Sequence, residues 1–169
     1  MLSTAIILAR RSLNERLGKE AADWAIGQLE RGLDGKYLRQ LAGTSGNENP
    51  TEFDELFDRC AREQNLQRPT PESIVILYAQ ERCLQFQEGL ISSEYFLNRV
   101  FALCAEHDMP RELMPFYLLD CALDDLRRQE VSYYYADVTR ENFDRVLQDE
   151  IRKLMAVPIE YEPRMDPPF

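Results

Sequence analysis

Apolar residues recur along this chain at intervals of three and four, the spacing that lines one face of an α-helix. Phe53, Leu56, Phe57, Cys60 and Ala61 form one such stripe and predict a helix near 50–64. Phe96, Val100, Leu103 and His107 predict another near 93–107. Leu113, Phe116, Leu119, Leu123 and Leu126 predict one near 110–129, with Pro115 in its first turns, and Phe143, Leu147, Ile151 and Leu154 one near 140–156. On that last helix Glu141–Arg145 and Asp149–Lys153 stand at i, i+4 on a solvated face, each pair worth about 0.2–0.5 kcal/mol. The stretch 71–88 is different, because Ile74, Val75, Ile76, Leu77, Tyr78, Ala79, Cys83, Leu84 and Phe86 spread around its whole circumference. A helix apolar on every side belongs in the middle of a bundle.

Punctuation agrees with the periodicity. Asn49-Pro50, Thr70-Pro71 and Asp108-Met109-Pro110 each place a capping or turn residue just before a proline, which a first helical turn tolerates. Ser92 and Thr139 read as further N-caps and Gly89 as a C-terminal stop. Ahead of residue 46 the pattern gives one or two helices before Gly18, one carrying Ala21, Trp24, Ala25 and Leu29, and a short one with Tyr37, Leu38 and Leu41. Six of the seven glycines lie in those first 46 residues, where they allow close helix approach or mark breaks. No segment alternates with period two. Residues 131–138, with Tyr133-Tyr134-Tyr135, have strand-like composition but stand alone, and a lone strand leaves its backbone groups unsatisfied. An ordered aromatic loop is the expectation there. The expected fold is therefore all-α: a single-domain bundle of six to eight helices around a central buried helix at 71–88. The domain spans 1–156, divided into a glycine-containing N-terminal part (1–46) and an acidic helical core (47–156). Four of the nine prolines fall in the last twelve residues, so 157–169 should be an extended tail.

Composition narrows the function classes. A chain of 169 residues suits one domain. Residues 1–42 carry seven Lys/Arg against five Asp/Glu, and 43–169 carry thirteen against twenty-five, so the body beyond residue 42 holds an excess of twelve negative charges. Such a surface repels nucleic-acid backbone and favours a basic protein partner. The longest apolar run, 74–79, is too short to cross a bilayer, and Arg10 and Arg11 follow the apolar start of the chain, unlike a signal peptide. A cytoplasmic location without membrane attachment is expected. Cys60, Cys83, Cys104 and Cys121 lie 23, 21 and 17 residues apart with no CxxC or Cys–His pair, so they read as reduced, buried thiols, with neither a metal nor another cofactor implied.

Few residues carry chemistry. His107, the only histidine, sits beside Asp108 and is readable as a general base, but no nucleophile motif accompanies it; a packed or capping histidine is the simpler account. Asp120 and Asp124 flank the 110–129 stripe at i, i+4 while Asp125 points away, which suits a shared proton or metal less well than a solvated edge. Glu81 and Glu150 lie on apolar faces and must be paired or shifted in pKa, with Arg82, Arg99 and Arg127 as conceivable partners. Tyr117, Tyr133, Tyr134 and Tyr135 are the best binding candidates, since tyrosine gives contact area at small entropy cost. Three consecutive tyrosines do not all face one core, so at least one should be near the surface. The ending Met165-Asp166-Pro167-Pro168-Phe169 resembles the tip of bacterial single-stranded-DNA-binding proteins in Asp166, Pro168 and Phe169, although one aspartate replaces an acidic run and Arg164 intrudes. Packing of Phe169 against its own bundle is the simpler account, with docking on a partner as the alternative.

The run Trp24-Ala25, Leu29-Glu30-Arg31-Gly32, Leu41-Ala42-Gly43, Asn49-Pro50, Glu55-Leu56-Phe57, Tyr78-Ala79 and Gly89-Leu90-Ile91-Ser92 resembles a group of small, uncharacterised bacterial all-helical proteins. The resemblance implies fold class and a bacterial cytosol and no activity. The leading functional expectation is a non-enzymatic interaction module, an inhibitor, immunity-type or regulatory partner of a basic protein. The alternatives are an enzyme working through Glu81, Asp120, Asp124 and His107, and an acidic mimic of nucleic acid.

Overall fold

Four helix starts carry the side-chain acceptors that free amide groups need. A computed structural model describes residues 2–46, 48–128 and 132–163. Among them lie eight helices and no strand: α1 (Thr4–Ser12), α2 (Lys19–Glu30), α3 (Lys36–Ala42), α4 (Pro50–Glu63), α5 (Pro71–Gln87), α6 (Ser93–Glu106), α7 (Met114–Arg128) and α8 (Phe143–Met155). Ser3 Oγ accepts the Ile6 amide, Asn49 Oδ1 that of Thr51, Thr70 Oγ1 that of Ser73 and Ser92 Oγ that of Tyr95. Each such cap is worth about 1 kcal/mol. Among the described residues no helix is long and apolar enough to cross a membrane.

Two starts differ from the sequence expectation. Asp108 and Met109 both take left-handed backbone (φ 55° each), and Pro110 accepts from the Leu113 and Met114 amides, so a turn precedes α7 and the helix begins at Met114. Thr139 is not the cap of α8. Asn142 is, and its Oδ1 turns back to accept the Thr139 amide at 2.8 Å. Glu141 therefore lies ahead of the helix, Asp149 pairs with Arg152 at 3.0 Å, and Lys153 pairs with Glu150 at 2.6 Å.

The chain divides into two compact units, residues 1–74 with 160–169, and residues 75–159, the division falling within α5. In the first unit α3 packs on both α2 and α4. Ile7, Leu8, Trp24, Leu38, Leu41 and Phe57 form its core, with Trp24 and Phe57 tilted against each other at 6.2 Å and Trp24 Nε1 donating to Thr4 Oγ1. The start of α3 lacks a cap of its own; Glu63 at the end of α4 supplies one, accepting the Lys36, Tyr37 and Leu38 amides at 2.8, 3.0 and 3.2 Å. A carboxylate suits the positive end of the helix dipole. Gly35 permits this approach, since a Cβ there would overlap the Glu63 carboxylate. Gly46 has φ +80°, and a Cβ on it would collide with the Lys19 amide nitrogen and the Gly18 carbonyl carbon, so the loops before α2 and before α4 touch backbone to backbone. The described start of the C-terminal stretch is extended: Tyr161 bridges antiparallel to Pro69, Thr70 donates to the Glu160 carbonyl, Glu162 donates to that of Arg68, and the Glu160 amide donates to the buried Ser73 hydroxyl.

In the second unit α6 packs on α7, and α7 on α8. Phe86 stacks on Phe96 (5.6 Å), and Phe96 meets Phe116 edge-on (5.5 Å, 87°), geometries that favour the ring quadrupoles. On α5, Val75–Ala79 and Glu81–Cys83 are buried without interruption, so that helix is enclosed on every side there; Leu84, one turn later, is exposed. Gln80 Nε2 ties α5 to the end of α8, donating to the Leu154 and Val157 carbonyls at 3.0 Å each.

Candidate functional site

The three tyrosines after α7 do not share a fate. Tyr133 is 78% exposed and Tyr134 55%, whereas Tyr135 turns inward and donates its hydroxyl to Glu150 Oε1 at 2.8 Å. Glu150 sits on the buried face of α8 at 6% exposure, and its partners are Tyr135 and Lys153 rather than any of the arginines the sequence suggested. Burial first, then the Glu150 carboxylate, push the Tyr135 phenol up to about 12, so it stays a donor. At the loop's other end Asp125 Oδ2 accepts the Tyr133 amide at 3.1 Å, and Val138 is buried beyond. Pinned on both sides, the loop presents two aromatic rings outward without depending on them for its own packing. The last turns of α7 and the start of α8 line a groove of about 400 Å³, bounded by Leu123, Leu126, Arg127, Arg140, Phe143 and Asp144. Arg140 Nε donates to the Leu126 carbonyl at 2.6 Å, tying two of these lining residues together. Tyr117 is half-buried, its ring stacked on Phe101 at 4.5 Å, so one of its faces is taken.

The acidic residues of α7 lie beside this surface. Asp120 is half-buried; burial first, then the neighbouring Asp124 carboxylate, raise its carboxyl above the usual range. Asp124 is exposed and pairs with Arg128 at 2.8 Å. Arg127 spans to α6, donating to both oxygens of Glu94 at 3.1 and 2.9 Å, which holds Glu94 below the usual carboxylate range.

Glu81 is elsewhere, buried on α5. It accepts from Arg82 Nη2 at 3.2 Å, Arg82 lies over the Tyr78 ring at 4.6 Å, and Arg99 donates to the Tyr78 hydroxyl at 2.9 Å. This is a buried ion pair braced by an aromatic ring. His107 is half-buried at the C-terminal cap of α6. Among the described residues no three His, Cys, Asp or Glu side chains are placed to hold a metal ion. Cys60, Cys83, Cys104 and Cys121 are free thiols, and burial raises Cys60 to about 11 and Cys83 to about 12, so neither supplies a thiolate near neutrality. Phe169 and Asp166 lie outside the described residues.

No family model, curated protein or solved structure matches this chain. Its function is argued from its own residues. Sequence reasoning singled out the tyrosine run but missed the groove on α7, which is lined in part by Arg140 and Phe143 from further along the chain.

Proposed function

We propose that this protein is a non-enzymatic interaction module of the bacterial cytoplasm, which binds a basic protein through the loop carrying Tyr133 and Tyr134 and the adjoining surface of α7. The observation that carries this reading is the pair of tyrosines standing 78% and 55% exposed on a loop anchored at Asp125 and Glu150. Anchoring of this kind lowers the ordering cost of binding, and amphipathic rings are the side chains that dominate interfaces. The negative charge beyond residue 42 supports a partner of positive charge.

The test is paired affinity capture with the native chain and with Tyr133→Ala plus Tyr134→Ala, at low and high salt. The reading expects a basic protein retained by the native chain, lost with the double variant, and weakened by salt. Retention of the same proteins by both forms, or indifference to salt, overturns it.

A further inference from the structure

A second site lies in the first unit, where the loops before α2 and before α4 meet. Gly18 (φ +48°) and Gly46 (φ +80°) bring the two loops into contact, and beside them opens a cavity of about 130 Å³. That is close to the size of an engineered cavity known to hold benzene, roughly 150 Å³, so it has room for about six to eight heavy atoms. Pro50 and Phe53 give it an apolar wall; Arg11, Arg16, Glu15, Glu48 and Asp54 give it charge.

Most of the charged groups near the cavity are spoken for. Arg10 binds Glu15 and Glu20 at 3.4 and 2.6 Å, and the Arg11 terminal nitrogens reach Asp54 and Asp58 at 3.6 and 3.2 Å. Besides Glu15 Oε2, which faces Arg10 Nε at 3.4 Å, two buried polar atoms on residues lining the cavity have no hydrogen-bond partner among the described residues: the donor Arg11 Nε and the acceptor Glu48 Oε2. The other Glu48 oxygen accepts the Ser45 amide at 2.7 Å, and that amide, first among several donors, holds the carboxyl below its ordinary range. Glu48 is therefore an anion near neutrality. Arg16, exposed at the cavity, makes no ion pair among the described residues. Buried polar groups are nearly always satisfied, so a donor and an acceptor left over on two residues that line one cavity call for a molecule offering the complement of both.

We propose that this cavity binds a small zwitterion of the free-amino-acid type, with its ammonium facing Glu48, its carboxylate facing Arg11 Nε and Arg16, and an aliphatic side chain against Phe53 and Pro50. Size restricts the occupant to the range from alanine to valine or proline. Residues such as arginine or tryptophan are too large.

The full chain labelled with ¹⁵N is titrated with alanine, proline, valine, arginine, glycine betaine and acetate, reading the amide shifts of residues 14–18 and 46–54. The proposal expects saturable shifts confined to those loops with at least one of the three small amino acids and none with arginine. Betaine, whose nitrogen has no hydrogen to donate, should fail. Glu48→Gln and Arg16→Ala should each weaken binding by about tenfold, the cost of one lost charge-assisted hydrogen bond. Arg16 is exposed and Glu48 half-buried, neither belongs to the apolar core of the unit, and an unchanged spectrum elsewhere verifies the fold. Failure of all three small amino acids overturns the proposal. So does acetate binding as well as they do, which means a simple anion site, and so does binding indifferent to both substitutions.

Discussion

At the scale of single residues, the side chains that matter most here are those whose partners come from distant sequence. Tyr135→Phe removes the hydroxyl that satisfies buried Glu150. It should cost about 1–2 kcal/mol in urea unfolding while leaving Tyr133 and Tyr134 exposed. Gly46→Ala should cost more, about 2 kcal/mol or above, because the new methyl meets backbone and the φ of +80° is itself unfavourable. Gly32 also has positive φ (+88°) but open space around it, so Gly32→Ala is the control that isolates the backbone term, and the difference between the two midpoints reads the collision. Asp120 gives a prediction with a sign. Burial raises its folded pKa, so the protonated form is favoured by folding; its contribution is complete below the unfolded value and lost as pH rises through the folded one. Asp120→Asn should therefore stabilise the protein at pH 7, with the gain fading under acid conditions, as paired melts at several pH values will measure.

At the scale of elements, α4, α5 and α6 were legible because each signal was local: a stripe, an uninterrupted apolar run, a cap directly ahead of the first turn. The start of α8 was misread because Thr139 and Asn142 are both good caps and only their mutual hydrogen bond decides between them. The cap on α3 was illegible for a different reason. Its acceptor, Glu63, lies 26 or 27 positions away from the amides of Tyr37 and Lys36, and nothing in the local pattern announces it. The inward turn of Tyr135 depends in the same way on Glu150, fifteen residues on, so the sequence pointed to the tyrosines without telling which of them face out. Glu63→Ala should cost about 1 kcal/mol and raise amide exchange at Lys36, Tyr37 and Leu38 selectively. Unchanged exchange there would show that the helix start is held by its packing alone.

At the scale of the whole molecule, alkaline pH should act on several buried groups together. Cys60 rises from an ordinary 9.0 to about 11, Cys83 from 9.0 to about 12 and Tyr135 from 10.0 to about 12. In each the neutral form is favoured by folding, so the contribution is intact below the unfolded pKa and lost as pH climbs through the folded value. Urea midpoints should hold level up to about pH 9 and fall steadily above it. The fall should be shallower above pH 10 in Tyr135→Phe.

The pairing of Arg68–Thr70 with Glu160–Glu162 has a consequence for how the chain is made. Gln67 donates to the carbonyl of Glu162, a partner 95 positions further on, so this contact waits until everything from α5 to α8 has been synthesised. The core of helices α1 to α4, by contrast, draws only on residues made earlier. Closing so large a loop costs little more entropy than closing a short one, but a pairing of a few backbone bonds opens locally at small cost in free energy. A protease cutting near Pro158 in a partly opened population would strike here before it reached either interior.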